Sequence, residues 1–157
     1  MKWRKPVFLK EIKIANIKSK DKVLLIGCGI LPTETILIAE TTGAKVVGID
    51  NSITAVKYAK KYVEKKELSE LIKIEYADGK NYPLSNFNII FIAINVFPIE
   101  SILKHLSKNI KPNTKILCKS IKNDIESTLE KQGLSKKLFV KSKIKNPRTQ
   151  SFLLSMR

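Results

Sequence analysis

The sequence predicts an α/β fold: a doubly wound, mostly parallel seven-stranded sheet with a C-terminal antiparallel hairpin and helices on both faces. Three observations predict it. Short apolar runs alternate with segments of helical spacing along most of the chain. The run Asn88–Ile94 has a core, Ile-Ile-Phe-Ile-Ala-Ile, that is apolar at every position, as in a strand covered on both faces. The last two β-like runs are joined by Asn146-Pro147, too short a link for a crossover helix, so they must pair antiparallel.

The elements follow in order. Residues before Lys20 add a leading helical segment (1–19) to one domain of 157 residues. Val23-Leu24-Leu25-Ile26 is the first strand and ends in Gly27. A helix from about Pro32 to Thr42 stops at Gly43, a good terminator. Val46-Val47-Gly48-Ile49 is the second strand, ending in Asp50. Ser52 then caps a helix carrying Ile53, Val56, Ala59 and Val63 at helical spacing. Leu71–Tyr76 and Asn88–Ile94 are the third and fourth strands. Pro98 opens an amphipathic helix with Ile99, Ile102, Leu103, Leu106 and Ile110 on one face. Thr114–Lys119 is the fifth strand, and Asn123–Gln132 a helix whose charges suit its dipole. Lys136–Lys145 and Thr149–Met156 close the sheet. The arrangement is five β/α units and a hairpin.

Composition narrows the function. No apolar run approaches ~18 residues, so a spanning helix is excluded, and the first residues are too charged for a signal-peptide core. Two distant cysteines, Cys28 and Cys118, make neither a disulfide scaffold nor a metal site, and a cytoplasmic protein is expected. The formal charge is +16, and it is uneven. Residues 1–22 carry eight basic and two acidic side chains, residues 23–100 eight and nine, and residues 101–157 fourteen and three. One reading is a neutral pocket in the middle and a polyanion surface, for nucleic acid or an acidic protein, built from the ends. The other is a compositional bias toward lysine. Lys141, Lys143 and Lys145 alternate with Val140, Ser142 and Ile144 and should share one face of an edge strand, where lysines also deter edge-to-edge pairing.

The candidate site lies where the first strand ends in Gly27-Cys28-Gly29. Two glycines permit a tight turn and close approach of a ligand, and the next helix presents its N-terminal N–H groups there. Asp50 follows Gly29 by twenty-one residues and can accept hydrogen bonds from both ribose hydroxyls. A third glycine would suit a dinucleotide, but Pro32 stands there, preceded by Leu31. The pattern favours an adenosyl ligand without phosphates, and S-adenosylmethionine fits. Its amino acid would lie on the glycine loop and its ribose on Asp50. Its adenine would lie between Asn51-Ser52-Ile53 and Ala77-Asp78-Gly79, with Asp78 accepting from the adenine amine. The alternative is a glycine turn beside a solvated Asp50. The candidate cofactor-binding residues are Gly27, Cys28, Gly29, Leu31, Asp50, Asn51, Ser52 and Asp78.

These segments, Val23–Gly29, Val46–Ser52, Tyr76–Gly79 and Asn88–Pro98, in this order and spacing, resemble the class I S-adenosylmethionine-dependent methyltransferases. The resemblance covers roughly residues 20–157 and implies a Rossmann-like fold and methyl transfer. Leu25 stands where that family often has an acidic residue. A narrower resemblance joins Gly27-Cys28-Gly29-Ile30-Leu31-Pro32 to the G-x-G-x-L-P loop of nicotianamine synthase, and Phe91–Ser120 is similar in layout to the same family. That family transfers the aminocarboxypropyl arm of the same cofactor. No helical domain of its kind precedes the loop here.

Methyl transfer needs alignment more than a conspicuous triad, and none is visible. Asn95 is the candidate catalytic residue: its amide oxygen, at the end of the fourth strand, can orient an acceptor amine, with Phe97 as a wall. Asn95 can equally cap the helix beginning near Pro98. His105 falls off the apolar stripe and reads as an exposed bystander. Cys28 reads as a small residue packed under the ligand, or as a thiol at a helix N-terminus. The acceptor is not specified: a protein, RNA or small metabolite for methyl transfer. The remaining alternatives are aminocarboxypropyl transfer, and an RNA- or protein-binding module on the same fold. The open site needs a cover, from the N-terminal segment, a second subunit as in a homodimer, or a macromolecular acceptor.

Overall fold

The computed structural model describes residues 4–121 and 124–157. Its elements are α1 (Arg4–Ala15), β1 (Lys22–Ile26), α2 (Thr33–Thr42), β2 (Lys45–Asp50), α3 (Ile53–Lys65), β3 (Ile72–Tyr76), β4 (Ile89–Ile92), α4 (Ile99–Asn109), β5 (Lys115–Ser120), α5 (Ile125–Lys131), β6 (Leu138–Lys145) and β7 (Gln150–Met156). The sheet order is β3-β2-β1-β4-β5-β7-β6. The first five strands run parallel, and β7 enters antiparallel between β5 and β6. The seven-stranded, doubly wound sheet is therefore as the sequence predicts. Residues 1–3 of the leading segment and Asn123 at the expected start of the last helix lie outside the described residues.

Strand pleating assigns alternate residues to two cores. Val23, Leu25, Val46, Ile72, Ile74, Ile89, Phe91 and Leu117 pack under α1, α2 and α3. Leu24, Ile26, Ile49, Ile90, Ile92, Ile116 and Cys118 pack under α4 and α5, with Phe152 and Leu154 of β7. Helix α1 sits on the first face. Phe8 meets Phe91 edge-on at 5.6 Å, and Glu11 is buried where Ser151 and Lys119 reach it. Lys119 also stacks its ammonium 4.3 Å from the Phe8 ring centre. The Lys115 ammonium donates to the Ala15 carbonyl and closes the end of α1.

Four expectations change. The third unit has no helix: Ala77–Asn88 is a loop whose Leu84 and Phe87 are buried, and Asn81, Pro83, Ser85 and Asn86 break any helical run. Strand β4 ends at Ile92; the Ala93 N–H still donates to the Ile26 carbonyl at 3.0 Å, and Ile94 and Asn95 turn away from the ladder. The register slips between Val140 and Ser142, a bulge that leaves Lys141 with no register partner on β7, although Lys141, Lys143 and Lys145 all stay exposed between half-buried neighbours. Lys143 pairs with Glu126 of α5, whereas Lys141 lies near Lys115 beside α1. His105 is half-buried rather than exposed: its Nε2 lies 2.7 Å from the Tyr82 carbonyl oxygen. Among the described residues no helix is long and apolar enough to cross a membrane.

Candidate active site

The carboxyl ends of β1–β4 surround a cavity of about 680 Å3, placed where β1 lies between β2 and β4 and the strand order reverses. Seven of the residues singled out in the sequence line it: Gly27, Cys28, Leu31, Asp50, Asn51, Asp78 and Asn95. Gly29 and Ser52 are not among its lining residues. They hold its central carboxylate instead. Asp50 Oδ2 accepts the Gly29 N–H at 2.9 Å, and Oδ1 accepts the Ser52 N–H at 2.9 Å. A carboxylate offers about four acceptor positions, so both oxygens keep capacity for a further donor. The Ser52 hydroxyl is occupied as the N-cap of α3, accepting from Ala55 at 3.2 Å.

Backbone conformation fixes the loop. Gly27 and Gly29 sit at φ +85 and +72, a region that L side chains rarely adopt. The N–H groups of Gly27 and Cys28 both donate to the Ile49 carbonyl, at 2.8 and 3.0 Å, which ties the loop to the end of β2. A side chain on Gly27 would meet Val96 at 2.6 Å, whereas one on Gly29 would meet nothing within 4 Å. Cys28 is buried. Desolvation, then the nearby Asp50 charge, pushes its thiol up to about 12, so it is a packing residue rather than a nucleophile.

Asp78 lines the cavity together with Asn51, and its Oδ1 accepts the Lys80 N–H at 2.9 Å. Asn95 does not cap α4: the residue at the N-cap position is Pro98, and no side chain caps that end. The amide is exposed at the cavity wall, with Phe97 beside it at 71% exposure. His105 lines neither this cavity nor a smaller one beside it. That second cavity, about 300 Å3, is lined by Ile94, Val96, Phe97 and Ile99 together with Lys119, Ser120, Ile121 and Ile125. The two share Ile94, Val96 and Phe97.

Sequence reasoning missed one wall. Lys5 and Phe8 of α1, with Thr33, Glu34 and Leu37 of α2, also line the main cavity. The Lys119 ammonium bridges Glu34 to the buried Glu11, its Nζ 3.0 Å from Glu11 Oε2. Burial is the largest influence on Glu11 and raises its pKa above the usual carboxylate value, although Lys119 and Ser151 oppose it. One signal in the sequence pointed here: Glu11 is an acid on the apolar stripe Phe8–Ile12–Ala15, where a charge requires a partner.

The residues fit an adenosyl sulfonium. The cavity volume lies in the range of roughly 300–1,000 Å3 found for small-molecule sites. Its charged lining is Glu34, Glu40, Asp50 and Asp78 against Lys5 and Lys66, an acidic balance that suits a cationic ligand and opposes a diphosphate.

Comparison with known proteins shows the family and the fold. A family described as "Methyltransferase domain" matches residues 17–151. Phosphoethanolamine N-methyltransferase 1 of Zea mays is 36% identical over 115 residues, 67% of this chain and 22% of that protein. The chain thus spans about a fifth of that relative's length. Among solved structures, a variant of MtNAS in complex with S-adenosylmethionine superposes with a TM-score of 0.81 at 14% identity, covering 96% of this chain and 62% of that one. An RNA methyltransferase from Salinibacter ruber in complex with S-adenosyl-L-homocysteine gives 0.78 at 18% identity, covering 97% and 90%. At such identities the two structures show the fold alone.

Proposed function

The chain belongs to the methyltransferase domain family, and from that premise we propose that it transfers the methyl group of S-adenosylmethionine to an acceptor entering over the ends of β4 and β5. The observation that carries this reading is Asp50, a carboxylate fixed by two backbone N–H groups at the rim of a glycine loop, inside a cavity of cofactor size.

When bound, the cofactor supplies a methyl group on a positively charged sulfur, already activated for displacement. The chain's residues do the rest. Asp50 accepts from the ribose hydroxyls with its remaining lone pairs. Asp78 accepts from the adenine amine. The loop 27–29 and Leu31 seat the amino-acid end, and Cys28 fills the space beneath. Phe8 and Leu37 keep water from that wall. Asn95 offers an amide oxygen to orient an acceptor amine, and Phe97 flanks it.

A second reading is aminocarboxypropyl transfer, favoured by the Leu31-Pro32 turn at the start of α2, where Leu31 is exposed and lines the cavity. The by-product decides between them. Incubation with S-adenosylmethionine and an acceptor yields S-adenosylhomocysteine for methyl transfer and methylthioadenosine for the alternative. Methylthioadenosine as the sole acceptor-dependent product would overturn the first reading.

A further inference from the structure

We propose that the acceptor is carried on a single-stranded nucleic acid, held along the β6 edge and led past the 146–149 turn to the mouth at Phe97. What happens at the mouth rests on the transferase reading above; the binding surface does not.

The fold first brings the two basic ends together. Helix α1 is pinned to β5 and β7 through Glu11, Lys119 and Ser151, and through Lys115 at the Ala15 carbonyl. Helix α1, with Lys5, Lys10 and Lys13, therefore lies beside the lysine-rich strands β5 and β6–β7. Lysines crowd there. Burial holds the Lys115 ammonium below its ordinary pKa; Asp21 is the largest charge influence and opposes this, while Lys141 and Lys18 add to it.

The edge then points to the site. Strand β6 is the outer strand and exposes Lys141, Lys143 and Lys145, continuing from the exposed Lys136 and Lys137. Its eight residues span about 25 Å. Because β7 is antiparallel to β5, Gln150 pairs with Ser120, which places the 146–149 turn at the same end of the sheet as the cavities. Ser120 itself lines the second cavity, together with Phe97 and Ile121, which are 71% and 57% exposed. The mouth thus combines an exposed aromatic ring, an exposed amide at Asn95 and an apolar recess. A splayed base needs such a set: a surface to stack on and a hydrogen-bonding edge partner. An acidic protein would use the lysines and the amide but brings no base to stack on the exposed ring.

The test is anisotropy of the full chain with a short, mixed-sequence single-stranded RNA, titrated with salt. Affinity should fall steeply with salt, with a slope of about −0.7 per phosphate contacted. The double variant Lys141→Glu/Lys145→Glu should bind at least tenfold more weakly and flatten the slope by about 1.4. The charge-matched control Lys57→Glu/Lys61→Glu, on exposed positions of α3, should stay near wild type. Phe97→Ala should weaken binding about tenfold and leave the slope unchanged. Equal losses in the two double variants, or displacement of the RNA by polyglutamate at equal charge, would overturn the proposal. A parallel thermal shift with S-adenosylhomocysteine separates the two claims. It should persist in Lys141→Glu/Lys145→Glu. RNA binding without any wild-type shift would sink the transferase reading and keep the surface, and the reverse result would sink the surface alone.

Discussion

The Asp50 carboxylate accepts the Gly29 backbone N–H at 2.9 Å and so joins the end of β2 to the glycine turn after β1. One side chain thereby shapes the loop and presents acceptor oxygens to the cavity it lines. The two glycines beside it have different tasks, which mutation should separate.

Gly27→Ala should be the more damaging change. Its Cβ would meet Val96 Cγ2 at 2.6 Å and Ala93 Cβ at 3.3 Å, on a backbone at φ +85. Gly29→Ala carries only the backbone cost at φ +72, about 1–2 kcal/mol for an L residue in that region. Chemical denaturation should rank wild type above Gly29→Ala, and Gly29→Ala above Gly27→Ala. Equal losses would show that the Val96 contact does not constrain the turn.

Cys28 should resist alkylation. With its thiol pushed up to about 12, the thiolate fraction at pH 8 is roughly a thousandfold or more below that of a free cysteine of pKa ~8.5. Iodoacetamide labelling followed by peptide mass mapping should find Cys28 unmodified while the chain is folded and modified once it is denatured. Rapid labelling of the folded protein would contradict the packing role.

Glu11 should give acid-side stability. Its folded pKa is raised from the ordinary 4.5, chiefly by burial. The folded state therefore holds this proton more tightly than the unfolded state does. The contribution is full below pH 4.5 and is lost as pH rises through the raised folded value. Glu11→Gln cannot titrate. The stability of wild type relative to Glu11→Gln should decline as pH rises above about 4.5 and level off once the buried carboxyl is ionised. A difference that grows with pH would mean that the Lys119 pairing outweighs the burial.

The fold was largely legible because its signals are local and strong. Apolar runs such as Val23–Ile26 and Ile89–Ile92 can only be buried strands, and Asn146-Pro147 leaves no room for a crossover. Gly27, Gly29 and Asp50 could be read as a group because strand order brings the ends of β1 and β2 together in every sheet of this kind. The α1 wall was hidden. Nothing in the spacing of Phe8 and Glu11 says that their helix lies across β5 and β7, which depends on a buried Glu11–Lys119–Glu34 contact between residues up to 108 positions apart. The bulge at Lys141 was hidden for another reason. Alternation assumes an unbroken ladder, and one extra residue leaves Lys141 with no register partner on β7. Asn95 was ambiguous in sequence between cap and site, and the early end of β4 places it at the cavity wall.

Calorimetric titration of S-adenosylhomocysteine into wild type and Asp50→Asn is the most direct test. The substituted amide would keep an oxygen for one of the two backbone donors but would lose the charge. A hydrogen bond to a charged group contributes about 1.5–3 kcal/mol, so affinity should fall by about 10- to 100-fold, with the circular dichroism spectrum unchanged. Equal affinity in the two proteins, or no binding by wild type, would contradict the assignment of Asp50 as the carboxylate that holds the cofactor.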